Sequence, residues 1–160
     1  LQRCKELQIH TAIETSSCVD TEIYLNIMRH VDFAFVDIKH TNRERHKEGT
    51  GVYNDLILHN ISQLKKANFG QRIIVRQPTI LGFNDDNKNA EDLIRYMHEN
   101  DLFEINLLKF HRMGESKWNQ LGHDYPYHTG GEVSDERMLE LQRLYLDNDI
   151  ACYIGHDTSF

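Results

Sequence analysis

Four polar groupings interrupt the apolar runs of this chain: Glu14-Thr15-Ser16, Asp37-Ile38-Lys39, Arg76 and His111. A carboxylate, a carboxylate with a lysine, a guanidinium and an imidazole can together hold a zwitterion. An ammonium needs acceptors and a carboxylate needs cations. Asp37 and Lys39 stand two residues apart, and residues i and i+2 of a strand share a face, so the two point the same way and can pair. Each grouping alone also fits a plainer role, because strand-end Asp and Lys form structural ion pairs and a strand-end His caps a helix or bonds a carbonyl. The set gains meaning from its recurrence on successive runs. Glu14, Asp37 and His111 could alternatively offer oxygen and nitrogen ligands to a divalent ion in a metal-dependent barrel enzyme.

The elements that must carry these residues alternate along the chain. Short apolar runs predict strands over 9–15, 33–39, 72–76, 103–110 and 151–155, with Pro78 ending or bending the third. Amphipathic stretches between them predict helices over about 20–30, 42–48, 55–67 and 134–148, and another from a cap at Asp85 or Asp86 to Asn100. Leu56, His59, Asn60, Gln63 and Leu64 recur at helical spacing in the third of these, which Asn68-Phe69-Gly70 closes. Residues 112–133 read as a long polar loop of the kind that serves as a lid or binding loop. Strand–helix alternation is the pattern of βα units around a parallel sheet, so the fold class is α/β and residues 1–160 form one domain. Every polar grouping then falls at a strand's C-terminal end, the edge on which parallel α/β barrels build their sites.

Composition narrows the classes of function. A formal net charge of −7 with both signs interspersed argues against a phosphate-backbone binder, so nucleic acid is not expected as a partner. No stretch approaches the ~20 apolar residues that span a bilayer, and no membrane association is expected. Cys4, Cys18 and Cys152 are too widely spaced for a disulfide framework or a close-set metal motif, which points to the reducing cytoplasm. His40, His46, His98, His123 and His128 lie in polar segments and are expected to be solvated. The opening Leu1-Gln2-Arg3-Cys4-Lys5-Glu6 reads as the end of a helix already under way, hence as part of a longer protein.

Taken in order, IHTAIETS (9–16), FVDIKH (35–40), Val75-Arg76, GFNDD (82–86), LLKFHRMG (107–114), KWNQLG (117–122) and Tyr125 form a colinear set. The set resembles the glycyl-radical-enzyme activating enzymes of the radical S-adenosylmethionine (SAM) superfamily, typified by pyruvate formate-lyase activase, and it covers essentially the whole chain. The resemblance implies the C-terminal portion of a partial (β/α)6 TIM-like barrel. It also implies SAM and a 4Fe-4S cluster as cofactors, the cluster held by three closely spaced cysteines and chelated by SAM. In that family an electron from the cluster, delivered by a donor such as flavodoxin or ferredoxin, cleaves SAM to a 5′-deoxyadenosyl radical. The radical takes a hydrogen atom from a glycine of the partner glycyl radical enzyme.

By position the resemblance assigns Glu14 and Thr15 to an acidic-Thr site beside SAM, and Asp37 and Lys39 to the SAM amino-acid moiety and the partner's glycine loop. It assigns Arg76 to SAM and His111 to its adenosine part. Glu14 and Asp37 would also frame a monovalent-cation site, and residues 112–125 would meet the partner. The chain departs from the family in two places. Ser17 stands where the family has glycine, so it must accept an unusual turn. The cysteine motif and the glycine-rich SAM motif would lie before residue 1, so the piece alone is expected to be inactive. A non-catalytic barrel module that lost its cluster is the other reading the missing cysteines allow.

Overall fold

The computed structural model describes residues 1–67, 69, 72–125 and 130–155. Its elements in chain order are α1 (Gln2–Glu6), β1 (Ala12–Thr15), α2 (Thr21–Met28), β2 (Phe33–Asp37), α3 (Arg43–Thr50), α4 (Asp55–Lys66), β3 (Arg72–Thr79), α5 (Asn87–Glu99), β4 (Glu104–Lys109), α6 (Glu115–Gln120), α7 (Asp135–Leu146) and β5 (Ala151–Ile154). The strands form one sheet in sequential order, β1-β2-β3-β4-β5, and every neighbouring pair is parallel. This is the α/β architecture that the alternation of apolar runs predicts.

Strand periodicity gives the sheet two unlike faces. Ile13, Ala34, Val36, Ile73, Val75, Ile105, Leu107 and Cys152 face the helices and belong to or pack on the main core cluster. The helices meet them with narrow stripes: Ile57, Asn60, Ile61 and Leu64 on α4, and Ala90, Leu93, Ile94 and Met97 on α5, all buried. Both stripes follow the i, i+3, i+4, i+7 spacing of one helix face. Leu56, expected in the α4 stripe, is instead exposed, because the stripe is centred one residue later on Ile57. The opposite face carries Glu14, Phe33, Phe35, Asp37, Arg72, Ile74, Arg76, Glu104, Asn106 and Tyr153, and among the described residues its buried apolar cluster of Phe33, Phe35 and Ile74, with Tyr153 against it, includes no helix residue.

Several boundaries differ from the sequence reading. β1 starts at Ala12 rather than residue 9, because β2 begins at Phe33 and Thr11 turns to Asp32: its N–H donates to the Asp32 carboxylate at 3.0 Å and its carbonyl accepts from Asp32 N–H at 3.1 Å. β3 does not stop before Pro78 but runs through it to Thr79. Arg76, two residues earlier, directs its carbonyl to the N–H of Ile38, the residue after β2, at 3.1 Å, so Pro78 faces the same side just beyond the end of β2, where no ladder partner needs its missing N–H. Among its described residues the expected loop after β4 contains a 3₁₀ turn (Arg112–Gly114) and α6. Residues 68 and 70 of the expected α4 stop lie outside the described residues; Phe69 N–H donates to Leu64 O at 3.0 Å.

His40 and His46 are buried, not solvated. His40 Nδ1 accepts from Asn42 N–H at 2.9 Å, and His46 Nδ1 meets Val52 O at 2.8 Å. Burial holds the His40 imidazole below its ordinary pKa, with the nearby Asp86 carboxylate opposing the shift. His128 lies outside the described residues. The cap on α5 is Asp86, which accepts from Asn89 N–H at 2.9 Å, while Asp85 accepts from Gly82 N–H at 2.7 Å within the turn. Among the described residues no helix is long and apolar enough to cross a membrane.

Candidate cofactor cleft at the strand ends

The site residues arise from the alternation that makes the open face. In register, Glu14 lies beside Phe35, and Asp37 beside Arg76, which in turn neighbours Asn106. Arg76 leans back across β2: its guanidinium lies 3.7 Å from the Phe35 ring centroid and reaches the Glu14 carboxylate at 2.6 Å. A cation over an aromatic face gains from the ring quadrupole and keeps its planar fork in place. The Arg76 side chain is only 14% exposed whereas that of Glu14 is 68% exposed, so the acid can swing to solvent while the base stays fixed. Among the described residues Arg76 Nε is the buried side-chain nitrogen that lacks a hydrogen-bond partner. An N–H in that position costs free energy until an acceptor arrives.

Lys39 pairs with Asp37 at 2.6 Å, as their shared face predicts, and both side chains are about a quarter to a third exposed, 25% for Asp37 and 34% for Lys39. An open cleft of about 240 Å³ is lined by Glu14, Thr15, Ser16, Asp37, Arg76, Pro78 and Leu108. Two carboxylates and two cations therefore stand together at the C-terminal ends of β1, β2 and β3, in pairs that an incoming zwitterion can exchange. Neither Lys39 nor His111 is among the lining residues: Lys39 joins the cleft through its pair with Asp37, and His111 lies beyond β4, exposed, before the 3₁₀ turn. Glu14, Asp37 and His111 are not brought together as a metal-binding group, and no cluster of three or more such ligands occurs among the described residues. The divalent-metal reading fails on that geometry.

Ser17, the departure from glycine, follows β1 with φ +57° and is fully buried. Its hydroxyl bonds Tyr24 OH at 3.1 Å, its N–H donates to Thr15 Oγ1 at 3.0 Å, and its carbonyl accepts from Asn60 Nδ2 at 2.8 Å. The serine holds a left-handed turn through side-chain bonds where glycine would rely on freedom alone. Cys4 on α1 is half-buried, Cys18 in the connection from β1 to α2 is exposed and Cys152 on β5 is buried; burial pushes the Cys152 thiol up to about 12.

Sequence reasoning missed Phe35 as the platform for Arg76; counting alternate positions from Asp37 could have found it. Asn54, Asn84 and Asn89, all buried, left no periodic signal because they belong to connections and helix starts.

No family model matches the chain. Among solved structures, a domain of a pyruvate-formate lyase-activating enzyme from Bacteroides vulgatus aligns over 96% of this chain and 85% of its own, with TM-score 0.77 at 24% identity. Streptococcus suis SuiB bound to S-adenosylmethionine aligns over 95% of this chain and 34% of its own, with TM-score 0.67 at 13% identity. The strand order and these likenesses define the class of fold, that of a TIM-like α/β barrel with parallel strands. Curated relatives sharpen the class. The 4-hydroxyphenylacetate decarboxylase activating enzyme of Clostridium scatologenes is 57% identical over all 160 residues, which make up 51% of its own length. The choline trimethylamine-lyase activating enzyme of Oleidesulfovibrio alaskensis is 35% identical over 139 residues, 84% of this chain and 44% of that protein. The chain belongs to the glycyl-radical-enzyme activating enzymes, and it spans about half the length of the curated relatives it matches.

Proposed function

We propose that the protein of which this chain is part activates a glycyl radical enzyme, and that these residues form the C-terminal portion of its barrel. The observation that carries the reading is the cleft itself: Arg76, fixed on Phe35 with an unpartnered Nε, between the Glu14 and Asp37 carboxylates. That donor and acceptor set fits the amino-acid moiety of SAM. Asp37 and Glu14 would accept from its ammonium, Arg76 and Lys39 would donate to its carboxylate, and Thr15 would contribute at the rim. His111 would meet the adenosine part from beyond β4. When bound, SAM with a 4Fe-4S cluster supplies one-electron chemistry; the cluster ligands belong to residues outside this sequence. Asp37 and Lys39 orient the reacting groups and the partner's glycine loop, and Glu14 and Asp37 oxygens serve a monovalent cation.

The partner is a glycyl radical decarboxylase of the 4-hydroxyphenylacetate type, on the strength of the 57% identical relative. The electron donor is a flavodoxin or ferredoxin, and the setting is the cytoplasm. The piece alone is inactive, since its three cysteines are dispersed over α1, the connection from β1 to α2, and β5. In the full-length protein, Lys39→Ala and His111→Ala are expected to weaken SAM binding in calorimetry and to lower the glycyl radical signal of the partner in electron paramagnetic resonance, without unfolding. Normal activation by both variants would reject the site.

A further inference from the structure

The cleft stands on a part of the molecule that has no role in the reading above. Beyond Ile38, whose N–H still pairs with Arg76 O, β2 leaves the ladder, and among the described residues the backbone of 39–41 makes no ladder bond to a neighbouring strand. Side-chain amides replace the strand. Lys39 O accepts from Asn84 Nδ2 at 2.7 Å, His40 O and Thr41 O accept from Asn54 Nδ2 at 3.0 and 2.8 Å, and Thr41 N–H donates to Asn89 Oδ1 at 3.0 Å. Asn54, Asn84 and Asn89 are each 1–2% exposed, so none of these bonds has water as an alternative.

Asn84 holds the central place. Its second amide proton goes to Pro78 O at 2.8 Å, and its Oδ1 accepts from Ile80 N–H at 2.8 Å. Its own carbonyl accepts from Gln77 Nε2 at 3.0 Å and Asn89 Nδ2 at 3.2 Å. One amide group thus bridges the outgoing ends of β2 and β3, extending their pairing by a rung that Pro78 could not make. The two bridged residues are those that matter to the cleft: Pro78 lines it, and Lys39 sends its ammonium to Asp37 at 2.6 Å. A lysine stem is long and loses rotamer freedom when fixed, so the position of its backbone governs whether the ammonium meets its partner.

We propose that Asn84 is a positioning residue: by clamping the Lys39 backbone to Pro78 it sets the Lys39 ammonium against Asp37 and fixes that wall of the cleft. The clamp concerns this chain's own geometry, while its consequence for SAM rests on the proposed role of Lys39. The test uses the full-length protein. Competitive acetylation, mapped by mass spectrometry, reads the reactivity of Lys39 against the exposed Lys66 and Lys117 as internal references. Asn84→Ala is expected to raise acetylation of Lys39 several-fold relative to both references, as the ammonium leaves Asp37. A merely stabilising Asn84 would lower the melting temperature with no selective change at Lys39, and that result overturns the proposal. SAM affinity is expected to fall about tenfold in Asn84→Ala and to fall no further when Asn84→Ala is added to Lys39→Ala, the non-additivity of residues that act together. Equal, additive losses in both backgrounds would also overturn it. If Lys39→Ala alone leaves SAM affinity intact while Asn84→Ala still exposes Lys39, the clamp stands and the SAM role of Lys39 falls. Should Asn84→Ala fail to fold, Asn84→Ser removes the same donors with a smaller cavity and carries the same expectations.

Discussion

The helix-facing and open faces of the sheet are built by the same strands on opposite principles. On the helix side, residues such as Val36, Val75, Leu93, Met97 and Ile105 are buried in contact with one another, and polar groups there are tied to the backbone. On the open side, Phe33, Phe35 and Ile74 are shielded partly by cations: Arg72 lies 5.6 Å from the Phe33 ring centroid and Arg76 3.7 Å from that of Phe35. Arg72 in turn bonds Glu104 through Nε at 2.7 Å, and Tyr153 OH donates to the same carboxylate at 3.0 Å. That hydrogen-bonded guanidinium is the main reason the Glu104 carboxyl sits below its ordinary pKa. The lesson is a division of labour: one face supplies stability, and the other holds exchangeable charges at a surface that can still open to a ligand.

The largest expected effect tests the stabilising face. Leu93→Ala removes a fully buried side chain from the main cluster and should cost about 2–5 kcal/mol in denaturant unfolding. A loss near zero would mean that this face does not carry the fold. An intermediate effect comes from the border between the faces, where Asp86 caps α5 behind the cleft: Asp86→Ala should cost about 1 kcal/mol. On the open face Glu14→Gln should change stability by less than about 1 kcal/mol, because an ion pair with one largely exposed partner is well screened. A large loss there would erase the contrast between the faces.

The smallest expected effect is in pH dependence. His40 is held neutral below its ordinary pKa of 6.5, so below that pH the unfolded chain binds a proton that the native state resists. Stability is therefore full above about pH 6.5 and declines as pH falls from there towards the lower native value. A His40→Gln variant should show a shallower decline over that interval in parallel thermal melts, and an unchanged slope would assign the pH dependence to other groups.

Much of the site was legible from residue order. The Asp37–Lys39 pair follows from strand periodicity alone, and the special turn at Ser17 was expected from the family resemblance, which implies glycine there. The Arg76–Glu14 contact was not legible, since it crosses an intervening strand and depends on the Phe35 ring beneath it. The amide clamp was hidden for a similar reason: Asn54, Asn84 and Asn89 look like ordinary turn and cap residues until the fold brings them around one connection. His40 and His46 were misjudged because a histidine in a polar segment is usually solvated, and only the packing of His40 against Phe83 and the hydrogen bond between His46 Nδ1 and the Val52 carbonyl reverse that.

By itself the sequence determined the alternation of strands and helices and the edge on which the charged groups gather, because period and turn chemistry are local properties of the chain. Tertiary structure decided where β3 ends, which carboxylate Arg76 meets and what holds Lys39. Those outcomes depend on where one strand stops beside another, and on which buried amide lies within hydrogen-bonding distance of a carbonyl left without a ladder.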